Sequence, residues 1–143
     1  MGEAARIAQQ EMKQESNRLI PIRDTLIKEI LKIEKSYLTG HPAQRLPHHA
    51  SFRFSYIEGE SILLNMDMYD IQVSTGSACS SKTLEPSHVL LAIGLKHEEA
   101  HGSMVLTLGR STLMDDVELV SKATKETVQR LRKLSPMSQE WRK

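Results

Sequence analysis

Aromatic side chains are scarce in this 143-residue chain, where Phe, Trp and Tyr together make up 4% of the residues. A core built with so few rings must be aliphatic, with methionine filling irregular gaps. Long apolar runs are also missing, since no stretch approaches the ~20 residues that a membrane helix needs. The net charge of +1 is far from the basic excess typical of nucleic-acid binding. We therefore expect neither a membrane nor a nucleic acid as a partner.

Cysteine occurs once, as Cys79. A single cysteine cannot form an internal disulfide, which suits a reducing compartment, and we expect a cytoplasmic protein. The length and the 39% hydrophobic content are typical of one globular domain.

Apolar spacing predicts a long N-terminal helix over residues 3–37. Its apolar positions recur at steps of three and four residues, and Gly40 is placed to end it as a C-cap. Pro21 lies inside this pattern and lacks a backbone donor, so we expect a kink or a split near Ile20. The polar part before Pro21 is interpreted either as packing on something outside its own domain or as an exposed, frayed arm.

Alternating and helical patterns follow in short segments. In residues 50–56 the side chains of Phe52 and Phe54 share one face, which predicts a half-buried strand. The expected strands are 50–56, 71–74 and 104–108, and the expected helices are 58–69, 87–93 and a last helix capped by Thr112, with Asp115 three residues on. This order predicts an α/β fold of the α+β kind, a small three-stranded sheet covered by helices, and leaves parallel or antiparallel pairing open.

The organisation that follows has three parts. Residues 1–40 form a helix leading into the domain, residues 41–135 form the domain, and residues 136–143 form a loose tail on which Trp141 is a candidate to dock.

The segment around Cys79 has almost no apolar content. Gly, Ser and Ala neighbours leave the thiol sterically open, and loops of this length inside a compact domain are usually functional or disordered. Lys82 is placed to favour the thiolate modestly. From the residues alone, two interpretations stay open: a reactive thiol on a mobile loop, residues 74–86, or an incidental surface cysteine.

A second motif indicates a possible metal site. Residues 97–101, HEEAH, fit H-E-x-x-H, a zinc-protease signature with two histidines on one helix face. Gly94 and Gly102 leave barely two turns of helix, and no third ligand is evident, so we predict no resident metal and disfavour zinc hydrolysis. The remaining candidates are interpreted structurally: His48 and His49 at the start of a strand, His88 in the cap region of a helix, and Met66 and Met68 as core filler.

The run from Ser74 to Leu90, STGSACSSKTLEPSHVL, closely resembles the active-site loop of NifS-like cysteine desulfurases of the class V aminotransferase family. The stretches RLPHHASFRF, EGESILLNMDMYDIQVS and EEAHGSMVLTLGR resemble the small, C-terminal domain of the same family, so the resemblance covers nearly the whole chain. It implies the fold of the C-terminal domain of fold-type I pyridoxal phosphate (PLP) enzymes.

The resemblance implies that Cys79 accepts sulfur from L-cysteine as a persulfide and passes it to an iron–sulfur scaffold protein or another acceptor. Cys79 is also a candidate transient ligand of an iron–sulfur cluster. The chain has no His-Lys dipeptide for a Schiff base and no glycine-rich phosphate cradle. We therefore expect that it does not bind PLP productively alone, and that its partner is a PLP-bearing large domain or desulfurase. A second copy of the chain is a further candidate partner.

One residue departs from the family pattern. The last strand of the family usually reads Arg-x-Ser-x-Gly-Arg, and its first arginine grips the substrate carboxylate; here Val105 holds that position and Arg110 the second. Valine cannot make a bidentate, charge-assisted contact to a carboxylate. A diverged copy, half of a split enzyme and a domain of a longer protein all fit this pattern. The alternative function is a non-catalytic adaptor or sulfur-relay domain that docks an iron–sulfur scaffold protein.

Overall fold

A computed structural model describes residues 1–76 and 86–136 of the chain. In chain order the elements are α1 (Gly2–Ile30), β1 (Ser36–Leu38), β2 (His49–Phe54), α2 (Gly59–Asp67), α3 (His88–Ala92), α4 (His97–His101), β3 (Ser103–Thr107) and α5 (Asp116–Leu134). The expected three-stranded sheet with covering helices is confirmed. Within the described ranges, no helix combines the length and the apolarity of a membrane span. Of the predicted tail, residues 136–143, all but Pro136 lie outside the described residues, Trp141 included.

The sheet is antiparallel throughout, with the strand order β1-β2-β3. One expected strand is wrong, because residues 71–73 form no strand and only Ser74 is bridged, to Val105 of β3. The third strand is instead β1, at the opposite edge, in a stretch that the apolar spacing assigned to the first helix. Pairing with β2 decided this, since an edge strand is defined by its neighbour and not by its own periodicity.

Helix α1 runs through Pro21 as one element, so the expected split near Ile20 is wrong. An interior proline costs about 3 kcal/mol or more. Three side chains that flank it, Leu19, Ile22 and Leu26, are buried in the core. Burying each of them contributes roughly 1.5–3 kcal/mol, which outweighs that cost.

The first helix ends at Ile30 and not at Tyr37. The hydroxyl of Ser36 shares its proton between the carbonyls of Ile30 and Ile33, at 2.9 and 2.7 Å, and adds a side-chain donor to the backbone N–H groups of Ile33 and Ser36 that these carbonyls already accept. Lys35, with a left-handed φ of 54°, then turns the chain into β1. Gly40, at φ 79°, serves the turn after β1 rather than a helix cap.

Helix α5 begins at Asp116, so the expected cap at Thr112 is wrong. The hydroxyl of Thr112 accepts from the Gly109 N–H at 2.9 Å and closes the turn before the helix. The carboxylate of Asp116 accepts from the Leu113 N–H at 2.7 Å. The predicted apolar stripe of this helix is confirmed, with these residues buried or packed on the core: Val117, Val120, Thr124, Val128 and Leu131.

The core lies between the inner face of the sheet and helices α1, α2 and α5. It is aliphatic apart from Phe52 and Phe54, whose ring centroids are 6.4 Å apart, as the shortage of aromatics predicts. Met66 and Met104 are fully buried. The interpretation of Met68 as core filler is wrong, because its side chain is 71% exposed.

A buried hydroxyl pair lies on the opposite face of β2. Thr39 Oγ1 donates to Ser51 Oγ at 2.6 Å, and both residues are buried. Because Thr39→Val leaves the Ser51 hydroxyl without this partner, we expect the free energy of unfolding to fall by about 1–2 kcal/mol. The double variant with Ser51→Ala should recover most of the loss. Urea denaturation of the unaltered chain, Thr39→Val, Ser51→Ala and the double variant completes the cycle. If the losses in unfolding free energy of the two single variants add up to that of the double variant, the two hydroxyls are not coupled.

Candidate functional site

The two flanks of the segment that holds Cys79 touch each other. Cys79 and Lys82 fall in residues 77–85, outside the described residues, but both flanks are described. A Cβ built on Gly76 would lie 3.1 Å from both Cβ and Oγ of Ser87. The backbone of Gly76 therefore packs directly on the Ser87 side chain. The two ends of the segment between these residues, the predicted Cys79 loop, therefore meet.

The first flank is anchored by backbone hydrogen bonds and by close packing. The Ser74 N–H donates to the Val105 carbonyl at 3.1 Å, and the Val105 N–H donates to the Ser74 carbonyl at 2.6 Å. Next to it, Thr75 packs against Gly59, where a built Cβ would lie 2.9 Å from Thr75 Cγ2 and 2.6 Å from the Ser103 carbonyl oxygen. Only glycine leaves room for both neighbours, so the start of α2 holds Thr75 in place.

The second flank is anchored by burial. Pro86 and Ser87 are buried, and the Ser87 carbonyl accepts from the Leu91 N–H at 3.1 Å in the first turn of α3. Val89 and Ile93 are 55% and 54% exposed. Helix α3 thus fixes the end of the loop and presents apolar side chains to the outside.

Val105 lies on the outer face of the sheet, the face turned away from the core. It is half-buried and is paired in register with Ser51. The same face carries Arg53, which forms an ion pair with Glu99 at 3.1 Å and stacks on the Tyr37 ring, 3.9 Å from its centroid. Because Arg53 is engaged by both neighbours, it does not supply the carboxylate-binding group that valine lacks.

Arg110 is held to the first helix, where it forms an ion pair with Glu11. From the same helix, Arg18 donates to the carbonyls of Gly109, Arg110 and Thr112 at 3.0, 3.2 and 2.7 Å. This part of α1 therefore packs on the turn after β3, within the same domain. Sequence reasoning misses Arg18, because a glutamate three residues earlier makes it look like an ordinary surface ion pair.

The histidines occupy separate places. His49 begins β2 and His88 begins α3, as expected, and His48 is exposed. Burial, and after it nearby positive charge, lowers the pKa of His49. The rings of His97 and His101 on α4 lie edge to face, with ring centroids 4.7 Å apart. In residues 1–76 and 86–136, no three potential metal-ligating side chains cluster.

The described residues include no buried lysine of the kind that holds PLP. The cofactor is held through a Schiff-base lysine, whose amine reacts best when it is desolvated. No lysine in the described ranges is buried: Lys35 is half-buried and the others are exposed. The structure therefore offers no buried amine for a Schiff base there. That the chain alone does not bind PLP productively stays a prediction.

Known proteins match almost the whole chain. The family described as Aminotransferase class-V matches residues 1–120. Cysteine desulfurase IscS 1 of Archaeoglobus fulgidus is 57% identical over 136 residues, which cover 95% of this chain and 36% of that protein. Cysteine desulfurase IscS of Methanosarcina thermophila is 47% identical over 138 residues, which cover 96% of this chain and 34% of that protein. The chain thus spans about a third of the length of these curated relatives.

Solved structures share the fold. The NifS-like protein from Rickettsia africae ESF-5 matches with a TM-score of 0.77 and 21% identity, over 90% of this chain and 33% of that one. A second NifS-like protein matches with a TM-score of 0.74 and 22% identity, over 87% of this chain and 31% of that one. At these identities the likeness shows the fold alone, and it confirms the fold that the resemblance implies.

Proposed function

Because this chain belongs to the aminotransferase class-V family and is 57% identical to part of a cysteine desulfurase, we propose that it is the sulfur-carrying portion of a cysteine desulfurase. Cys79 accepts sulfur from L-cysteine as a persulfide and passes it to an iron–sulfur scaffold protein or another acceptor. A large domain, in the same protein or in a separate one, supplies the PLP site at which the carbon–sulfur bond of L-cysteine is broken.

The closed base of the loop is the observation that carries this proposal. Gly76 packs on Ser87, so both ends of the loop start from one point of the fold. Cys79 is three residues from Gly76, and the covalent chain limits its reach from that point to about 11 Å. A carrier needs such a bounded range, because the same sulfur atom must meet a donor and then an acceptor.

Delivery of the sulfur is a thiol–persulfide exchange. A thiolate of the acceptor attacks the outer sulfur of the Cys79 persulfide, and a new S–S bond forms as the bond to Cys79 Sγ breaks. Cys79 leaves with the electron pair as a thiolate, ready for another cycle. The sulfur atom moves at a constant oxidation level, so this step needs no oxidant or reductant.

The test is sulfur loading of the purified chain by a PLP-bearing desulfurase. After incubation with that enzyme and L-cysteine, alkylation and peptide mapping by mass spectrometry should find one extra sulfur on the Cys79 peptide. The same mixture with L-alanine in place of L-cysteine is the control and should give none. The absence of an adduct with any PLP-bearing partner would contradict sulfur transfer and leave the adaptor function.

A non-catalytic adaptor is the second candidate, and Val105 favours it. Valine at this position cannot grip a substrate carboxylate, and Arg53 on the same face of the described sheet is already paired with Glu99. An adaptor should bind an iron–sulfur scaffold protein without L-cysteine and with unchanged affinity when Cys79 is alkylated. Binding that requires the loaded thiol would contradict it and support the carrier.

A further inference from the structure

Helix α4 carries two histidines whose rings lie close together, edge to face. His97 and His101 are four residues apart, the spacing that places two side chains on one helix face. Their ring centroids lie 4.7 Å apart, with the ring planes at 64°. His97 is exposed and His101 is half-buried. Among the described residues no hydrogen bond engages a ring nitrogen of either histidine.

The separation of the rings matches two imidazoles bound to one metal ion. A zinc–nitrogen bond of about 2.0–2.1 Å puts the ion roughly 3.2 Å from each ring centroid. Two such ligands, at angles between about 90° and tetrahedral, have centroids about 4.5–5.2 Å apart. The observed 4.7 Å lies inside this range. We propose that His97 and His101 form a two-histidine site for a divalent zinc, nickel or copper ion, the ions that imidazole suits.

This site differs from that of a zinc protease. The base position of the H-E-x-x-H pattern is Glu98. The next carboxylate, Glu99, is engaged by the ion pair with Arg53 and by the Lys96 N–H at 3.0 Å, so it is not free to bind the ion. No third side chain completes a ligand group in residues 1–76 and 86–136. Water or an external ligand fills the other positions of the ion. The site therefore binds metal without the full set of groups that peptide hydrolysis needs.

Metal binding should also stabilise α4. The helix has only five residues, His97–His101, and helices this short are marginal on their own. Both imidazoles meet one ion only while the backbone between them is helical. Bound metal therefore favours the folded chain and raises its melting temperature by mass action.

Zinc titration of the full chain by calorimetry tests the site, in a Cys79→Ser background so that the thiol does not compete. We expect one ion per chain. His97→Gln and His101→Gln should each weaken binding by at least about tenfold, because each removes half of a chelate. His88→Gln is the matched control. His88 is exposed and helical, but the residue one helical turn later is Ala92, which cannot bind a metal ion. Its affinity for zinc should equal that of the background chain.

A second measurement separates lost ligands from lost folding. In NMR spectra of the same background chain, zinc should shift the ring signals of His97 and His101 together, at one concentration, and leave those of His88 in place. Equal affinity in all variants, separate titration of the two rings, or loss of binding in His88→Gln would each overturn the proposal.

Discussion

A chain with Cys79→Ser is expected to take up no sulfur from a PLP-bearing desulfurase and L-cysteine. The nucleophile in persulfide chemistry is a thiolate, and a serine hydroxyl neither ionises near neutral pH nor forms a stable bond to the transferred sulfur. The chain has one cysteine, so no second thiol replaces it. The measurement is the mass of the intact chain after incubation, taken before and after reduction.

Ser80→Ala is the matched control, because it alters the neighbouring position and keeps the thiol. Its loading should equal that of the unaltered chain, and a reductant should remove the added sulfur from both. A reducible adduct that persists in Cys79→Ser would place the sulfur elsewhere on the chain and contradict the proposed carrier.

Gly102→Ala is expected to lower the free energy of unfolding by at least about 3 kcal/mol. Gly102 joins α4 to β3, and a Cβ there would collide with the Phe54 carbonyl oxygen and lie 2.9 Å from the Ile57 carbonyl oxygen. Both obstacles are backbone atoms, so the end of β2 must move. The movement also strains the bond from the Phe54 N–H to the Gly102 carbonyl, at 2.8 Å. Urea denaturation measures this loss, through the transition midpoint and the slope of the unfolding free energy against urea concentration.

Gly109→Ala provides the comparison at the other end of β3. A Cβ on Gly109 meets nothing within 4 Å, so its stability should change by no more than about 0.5 kcal/mol. Equal unfolding free energies for the two variants would contradict the close packing at Gly102. Because β3 carries Val105, which pairs with Ser74, only Gly102→Ala should also slow sulfur loading of Cys79.

The strand and the helix that bury one face at a regular spacing were predicted well. Alternation placed Phe52 and Phe54 in a strand, and helical spacing placed Val117 and Val128 on the buried side of the last helix; both are confirmed. A strand or helix that buries one face repeats at a fixed period, which a short stretch of sequence records. The exposure of Met68 could not be predicted this way, because an apolar residue at the end of a helix can point to the core or to the solvent.

The first helix shows where such patterns mislead. By spacing alone Tyr37 continues the apolar stripe, yet it belongs to β1 and its ring lies against Arg53. Two remote facts decide this: the Ser36 hydroxyl closes the helix end, and β2 offers its edge for pairing. A period of three and four residues carries no information on either.

The order of amino acids alone settled the aliphatic core, the single thiol at Cys79 and the resemblance to cysteine desulfurases, because composition and ordered motifs are properties of the chain itself. Folding in three dimensions settled that Gly76 meets Ser87, that Arg18 holds the turn after β3 and that the sheet is antiparallel. These features join residues far apart along the chain. They depend on which surfaces pack together, and so no local pattern predicts them.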